Sequence, residues 1–159
     1  MKTTKIFILA PGIMLVLSAC QANLSRNDDG TVTVETSITQ EQLQEVISSA
    51  IADPLIQDLT VSLQNGYVSV TGTRQRLNDA SKTDTMSFRL DLGVSNGELT
   101  VSISDAQIDG IAIEQNRVDN WNQTIANRIA MIGGGNRNAT LQSVSVTPEQ
   151  VTMTWLVNR

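Results

Sequence analysis

The stretch "LTVSLQNGYVSVTG", Leu59 to Gly72, alternates apolar and polar residues on both sides of an Asn-Gly pair. Alternation with a period of two places one set of side chains on one face of a strand. Asn65-Gly66 suits a two-residue type I′ turn, because Asn and Gly tolerate the positive φ that such a turn requires. That turn sets Leu63 opposite Val68 and Val61 opposite Val70, apolar against apolar. A register one residue off would turn these side chains to opposite faces. The same logic governs "MSFRLDLGVSNGELTVSI", Met86 to Ile103, where Asn96-Gly97 sets Val94 against Leu99, Leu92 against Val101 and Leu90 against Ile103. Two antiparallel hairpins are predicted.

Working outward, the strand that leaves the second hairpin changes phase. Leu99, Val101 and Ile103 are odd, Ala106 and Ile108 even, Ile111 and Ile113 odd again. Each switch needs one extra residue, near Ser104-Asp105 and at Gly110, which a bulge supplies, and bulges curl a sheet. A turn at Asp109-Gly110 is the competing reading of the second switch. Upstream, "TVTVET" (Thr31–Thr36) is a strand, and Thr39-Gln40-Glu41-Gln42 forms a capping box at a helix start. Ile38, Leu43, Val46, Ile47, Ala50 and Ile51 give that helix one apolar face, and Asp53-Pro54 ends it. Downstream, Val118, Trp121, Ile125, Ile129 and Ile132 signal a second helix that stops at Gly133-Gly134-Gly135. A phosphate loop would precede its helix and carry Lys-Ser or Lys-Thr, so this glycine run reads as a flexible exit at the rim of a groove. Leu141–Val146 and Val151–Val157 make a last pair of strands around Pro148. The expected fold is α+β, a curved antiparallel sheet of about six to eight strands wrapped around two amphipathic helices.

The first residues carry a different message. Lys2 and Lys5 precede an apolar run, Ile6–Val16, too short to span a bilayer, which reads as a secretory signal over residues 1–19. It closes on Leu17-Ser18-Ala19-Cys20, which resembles a bacterial lipobox. Cys20 is the only cysteine, so it lacks a disulfide partner within the chain. It is expected to become the acylated first residue of an exported lipoprotein, held by diacylglycerol and further acyl chains such as palmitate at the membrane without spanning it. By likeness to the proteobacterial sorting pattern, Gln21 in place of Asp points to the outer membrane where the cell has one, and otherwise to the outer face of the cell membrane. Residues 20–30, ending in Asn-Asp-Asp-Gly, read as a polar tether, and 31–159 as a single domain.

The leader carries Lys2 and Lys5 and no acid, so its removal takes the formal charge from −5 to −7. An acidic domain repels phosphate backbones, which argues against nucleic acid as a partner. The chain has no histidine. That takes away the usual general base, the commonest zinc ligands and every Ser-His or Cys-His nucleophile, so no catalytic residue, metal or cofactor is expected. A hydrolase would rest on the scattered Asp105, Asp109 and Asp119, which read more simply as turn and cap residues.

The run from "ITQEQLQEVI" through "DLTVSLQNGYVSVTG" to "ISDAQIDGIAI" and "VDNWNQTIANRI" resembles small exported bacterial proteins of the LmeA type. That resemblance implies a phospholipid-binding domain like one half of the tubular lipid-binding (TULIP) proteins, with helices inside a rolled sheet and a seam that admits lipid tails. The corresponding lining is Leu90, Leu92, Val101 and Ile103 on the sheet with Val46, Ile47, Trp121, Ile125 and Ile129 on the helices. The same apolar patterning also describes a closed core. In that case the chain is an envelope interaction or assembly lipoprotein with a protein partner, and Arg74-Gln75-Arg76 is its candidate surface.

Overall fold

A computed structural model describes residues 22–135 and 138–157; the leader, Cys20 and the expected acyl anchor lie outside the described residues. Among the described residues, nine strands and two helices follow in the order β1 (Ala22–Arg26), β2 (Val32–Thr39), α1 (Gln40–Ile51), β3 (Ile56–Leu63), β4 (Val68–Gln75), β5 (Thr83–Ser95), β6 (Glu98–Ile108), β7 (Ile111–Ala112), α2 (Gln115–Ile132), β8 (Ala139–Val146) and β9 (Gln150–Val157). The class is α+β and all pairings are antiparallel. The expected single sheet is two: β1-β2-β9-β8 and β3-β4-β5-β6-β7. Hairpin turns specify only neighbours in the chain, whereas β2 pairs with β9 across almost the whole domain, Thr36 lying opposite Met153.

Both predicted registers are present, with Leu63 opposite Val68, Val61 opposite Val70, Val94 opposite Leu99, Leu92 opposite Val101 and Leu90 opposite Ile103. The turns differ. Asn96 and Gly97 both have positive φ, 53° and 78°, as a type I′ turn requires. At the first hairpin only Gly66 does, at 86°, so that turn is not type I′. The first phase switch is a bulge, with Asp105 left-handed at φ 53° and the register slipping between Ser87 and Arg89. The second is the competing alternative, a tight turn: Asp109 and Gly110 have φ of 49° and 76°, and Ile108 pairs with Ile111.

The segment read as a tether also differs. Ala22–Arg26 is an exposed edge strand on β2, and Asn-Asp-Asp-Gly is its hairpin turn, closed by Gly30 N–H to Asn27 O (3.1 Å) and by Thr31 donating twice to Asp29 Oδ1. With neither face buried, this strand shows no hydrophobic alternation, which is the signal by which the others are recognised.

Helix α1 starts on the predicted capping box, Thr39 N–H donating to Gln42 Oε1 (2.9 Å) and Gln42 N–H to Thr39 Oγ1 (3.3 Å). The two helices touch each other and lie along opposite edges of the five-stranded sheet. On the β3 edge, Val61 and Leu63 donate their amides to Gln44 Oε1 and Gln40 Oε1 (both 3.3 Å). On the β6 edge, Ile103 N–H donates to Asn122 Oδ1 of α2 (2.9 Å). Edge amides that would otherwise be unpaired are thus satisfied by helix side chains, and the helices close the open side of the sheet. The four-stranded sheet lies at the end where α2 stops. Its β8 runs past the two hairpin tips, joined by Gly66 N–H to Val146 O (3.0 Å) and Leu141 N–H to Gly97 O (2.8 Å). Side chains from both sheets and both helices form one apolar core.

Candidate functional site

The nine residues expected to line a lipid groove sit mostly in that core. Ile47, Leu90, Ile125 and Ile129 are wholly buried, Val46, Ile103 and Trp121 nearly so, and Leu92 and Val101 are half-buried beside them. Trp121 packs on Phe88 with ring centroids 6.0 Å apart. Of the nine, only Val46 and Val101 reach the surface hollows, Val46 between the helices and Val101 over β6. The structure brings these side chains together against one another.

An apolar groove does exist, and it is built from other residues. The last turns of α2 present Ala126, Asn127, Ala130 and Met131 across from Glu98 and Leu99 at the second hairpin tip, Ala139 on β8 and Trp155 on β9, so the walls are mainly apolar with a polar rim at Glu98 and Asn127. Small side chains on α2 leave the space, about 780 Å³, open along the seam where the two sheets meet. Its lining includes Gly135, from the glycine run. The glycine run is packed and is not a flexible exit: a Cβ on Gly133 would meet Met153 and lie 3.1 Å from Ile129 O, and one on Gly135 would fall 2.8 Å from Ala130 O and 3.0 Å from the Trp155 ring. A missing Cβ serves close approach as readily as freedom. The buried Thr36 fixes this contact, donating from Oγ1 to Gly133 O (2.7 Å) and accepting from Trp155 Nε1 (3.3 Å). A second hollow, about 500 Å³, lies between the helices beside Met131 and is lined by Gln42, Glu45, Val46, Ser49, Arg128 and Ile132.

The opposite end of α2 is charged. Asp53 follows α1 with its side chain 6% exposed, and takes Arg74 Nε at 3.0 Å, Arg117 Nη2 at 2.8 Å and Leu55 N–H at 2.9 Å. Burial pushes its pKa up, but the Leu55 amide and the two guanidiniums outweigh it and hold the carboxyl below the ordinary value. Arg76 joins Asp84 to Asp109 (Nη2–Oδ2 2.9 Å), and Asp109 Oδ1 also accepts from Thr85 N–H (2.8 Å). Arg74-Gln75-Arg76 is therefore a structural tie at the end of β4, with Gln75 Nε2 donating to Ala80 O (2.9 Å), and not a loop reaching outward. A hollow of about 560 Å³ here combines Arg76, Asp84, Asp109, Glu114 and Arg117 with Ile108, Ile111 and Ile113.

Asp105, Asp109 and Asp119 take separate local roles at the bulge, the β6–β7 turn and on α2, where Asp119 accepts from Gln115 Nε2 (2.8 Å). The edge-pairing Gln40, Gln44 and Asn122 were not singled out from sequence. Their one signal is position, since each adjoins the apolar stripe of its helix, where a polar side chain meets the sheet. No described helix is long and apolar enough to cross a membrane. Comparison of the chain with family models, curated proteins and solved structures finds no match.

Proposed function

We propose that this chain is an exported lipoprotein, anchored through acylated Cys20, whose domain binds an acyl-chain lipid, a phospholipid above all, without catalysis. The observation that carries the reading is the groove of about 780 Å³ walled by Leu99, Ala126, Ala130, Met131, Ala139 and Trp155. Its size is in the range of small-ligand sites, and the aliphatic majority of its walls, beside Glu98 and Asn127, suits a hydrocarbon chain with a polar end better than a sugar or a base. The ligand lies at the surface seam, because the side chains expected to line an internal groove belong to the buried core cluster. The resemblance to LmeA-type proteins supports the same ligand class. The fold is read as a relative of the TULIP half domain in which the helices close the roll instead of lying inside it.

Native mass spectrometry of the full acylated chain tests this. Non-covalent phospholipid adducts are expected, and Ala126→Trp, which fills the groove from its α2 wall, should abolish them while the far-ultraviolet circular dichroism stays unchanged. Adducts that persist in Ala126→Trp would remove the groove as their site. The filled core favours one second reading, an interaction or assembly lipoprotein with a closed interior. Absence of any lipid adduct, together with one envelope protein recovered by cross-linking in cells, would establish that alternative.

A further inference from the structure

Six large apolar side chains are more than a third exposed among the described residues, and their placement is uneven. Met131 (68%) and Ile132 (41%) stand at the last turn of α2, with Val94 (37%) at the neighbouring hairpin tip. Leu24 (74%) stands on β1, opposite Val34, which in turn lies opposite Trp155 of the groove. Leu77 and Ile111 belong to the other end of the molecule, where the Arg76–Asp109 ion pair joins their two turns. Helix α2 separates the ends by 18 residues, or about 27 Å at the α-helical rise.

The path of the chain distinguishes these two ends. Ala22, where the described chain begins, lies opposite Thr36, and Thr36 hydrogen-bonds Gly133, the residue after Met131-Ile132. Cys20 precedes Ala22 by two residues, a reach of about 7 Å at most. The expected acyl chains therefore leave the domain beside its exposed Leu24, Met131 and Ile132, and on this side the groove has its Met131 rim. The acyl chains hold the domain at the bilayer but leave it free to turn on its attachment, and an apolar contact close to them restricts that turning.

We infer that Leu24, Met131 and Ile132 form a membrane-contacting face that seats the anchored domain on a phospholipid bilayer in one orientation, with the groove opening onto the lipid and Leu77 and Ile111 facing away. This rests on the acylation of Cys20 proposed above. Thioether formation blocks Cys20, so a cysteine introduced elsewhere is the only free thiol. Leu24→Cys, Met131→Cys, Leu77→Cys and Ile111→Cys variants of the full chain, expressed with the leader in a lipoprotein-acylating bacterium, would each carry an environment-sensitive fluorophore. They would be reconstituted into phosphatidylethanolamine–phosphatidylglycerol vesicles holding a nitroxide on the acyl chain.

Quenching at positions 24 and 131 should exceed that at 77 and 111 by about fivefold, with a blue-shifted emission at the first pair only. Ile132→Cys should repeat the result for Met131→Cys from the adjacent position. Equal quenching at both ends of α2, with Cys20 shown to be acylated by intact mass, would overturn the orientation and leave the anchor standing. A chain that leaves the host with an unmodified Cys20 thiol would overturn both.

Discussion

The two ends of α2 are held by opposite chemistry. At its C-terminal end, Gly133 and Gly135 let the helix end approach Met153 and Trp155, and the Thr36 hydroxyl joins Gly133 O to Trp155 Nε1. At its N-terminal end, Arg117 reaches Asp53 alongside Arg74, and Arg76 ties two further carboxylates at the surface. The apolar end depends on shape, so it should respond to side-chain volume and hardly to salt. The charged end depends on ionised carboxylates and should respond to acid. The lipid-facing role proposed for the first end fits the exposure of Leu24, Met131 and Ile132 there.

The largest expected effect is on the shape-dependent end. Trp155→Ala removes a buried ring that packs beside Gly135 and deprives Thr36 of a donor, and should lower unfolding free energy in urea by about 4 kcal/mol. A cost below that of an ordinary surface change would mean that the glycine contacts are incidental. Next comes Asp53→Asn, which leaves two guanidiniums around a neutral amide and should cost about 2 kcal/mol at neutral pH, less than a fully buried pair because Arg117 is partly exposed.

The sign with pH follows from the depressed pKa of Asp53. Its contribution is fully present above the unfolded carboxyl value near about 4, and is lost as pH falls through the lower folded value. The wild-type and Asp53→Asn stabilities should therefore converge in acid, and parallel curves would sink this account. The smallest effect is Arg76→Gln. Its ion pairs are exposed, and the unfolding midpoint should stay within error of the wild type. A clear loss there would make the outer charge lattice as structural as the inner one.

Much of this fold was legible in short-range patterns. Asn-Gly pairs fixed two registers, Thr39 and Gln42 a helix start, and three-and-four spacing the buried face of α2. What escaped were features whose partners are distant or whose local signal has two meanings. Nothing near Thr36 announces Met153 or Gly133 as neighbours. Gly133 and Gly135 look alike as hinge or contact, and Asp109-Gly110 suits bulge or turn. The site was less legible than the fold. An apolar stripe shows which side chains avoid water, so it yielded the core, whereas the groove depends on Ala126, Ala130 and Ala139, which are small. The space is made by what those residues lack, and hydrophobic periodicity does not register missing volume.

The amides that close the sheet edges bear on chemical ageing. Gln40, Gln44 and Asn122 each meet the sheet through the side-chain carbonyl oxygen, accepting from Leu63, Val61 and Ile103. Hydrolysis of a side-chain amide replaces the nitrogen and leaves an oxygen acceptor in place. At Gln40 the new negative charge would also sit in the first turn of α1, where the helix dipole favours it. Hydrolysis of the Gln40 and Gln44 amides in a long-lived protein would make the domain more acidic while leaving the Leu63 and Val61 amides paired.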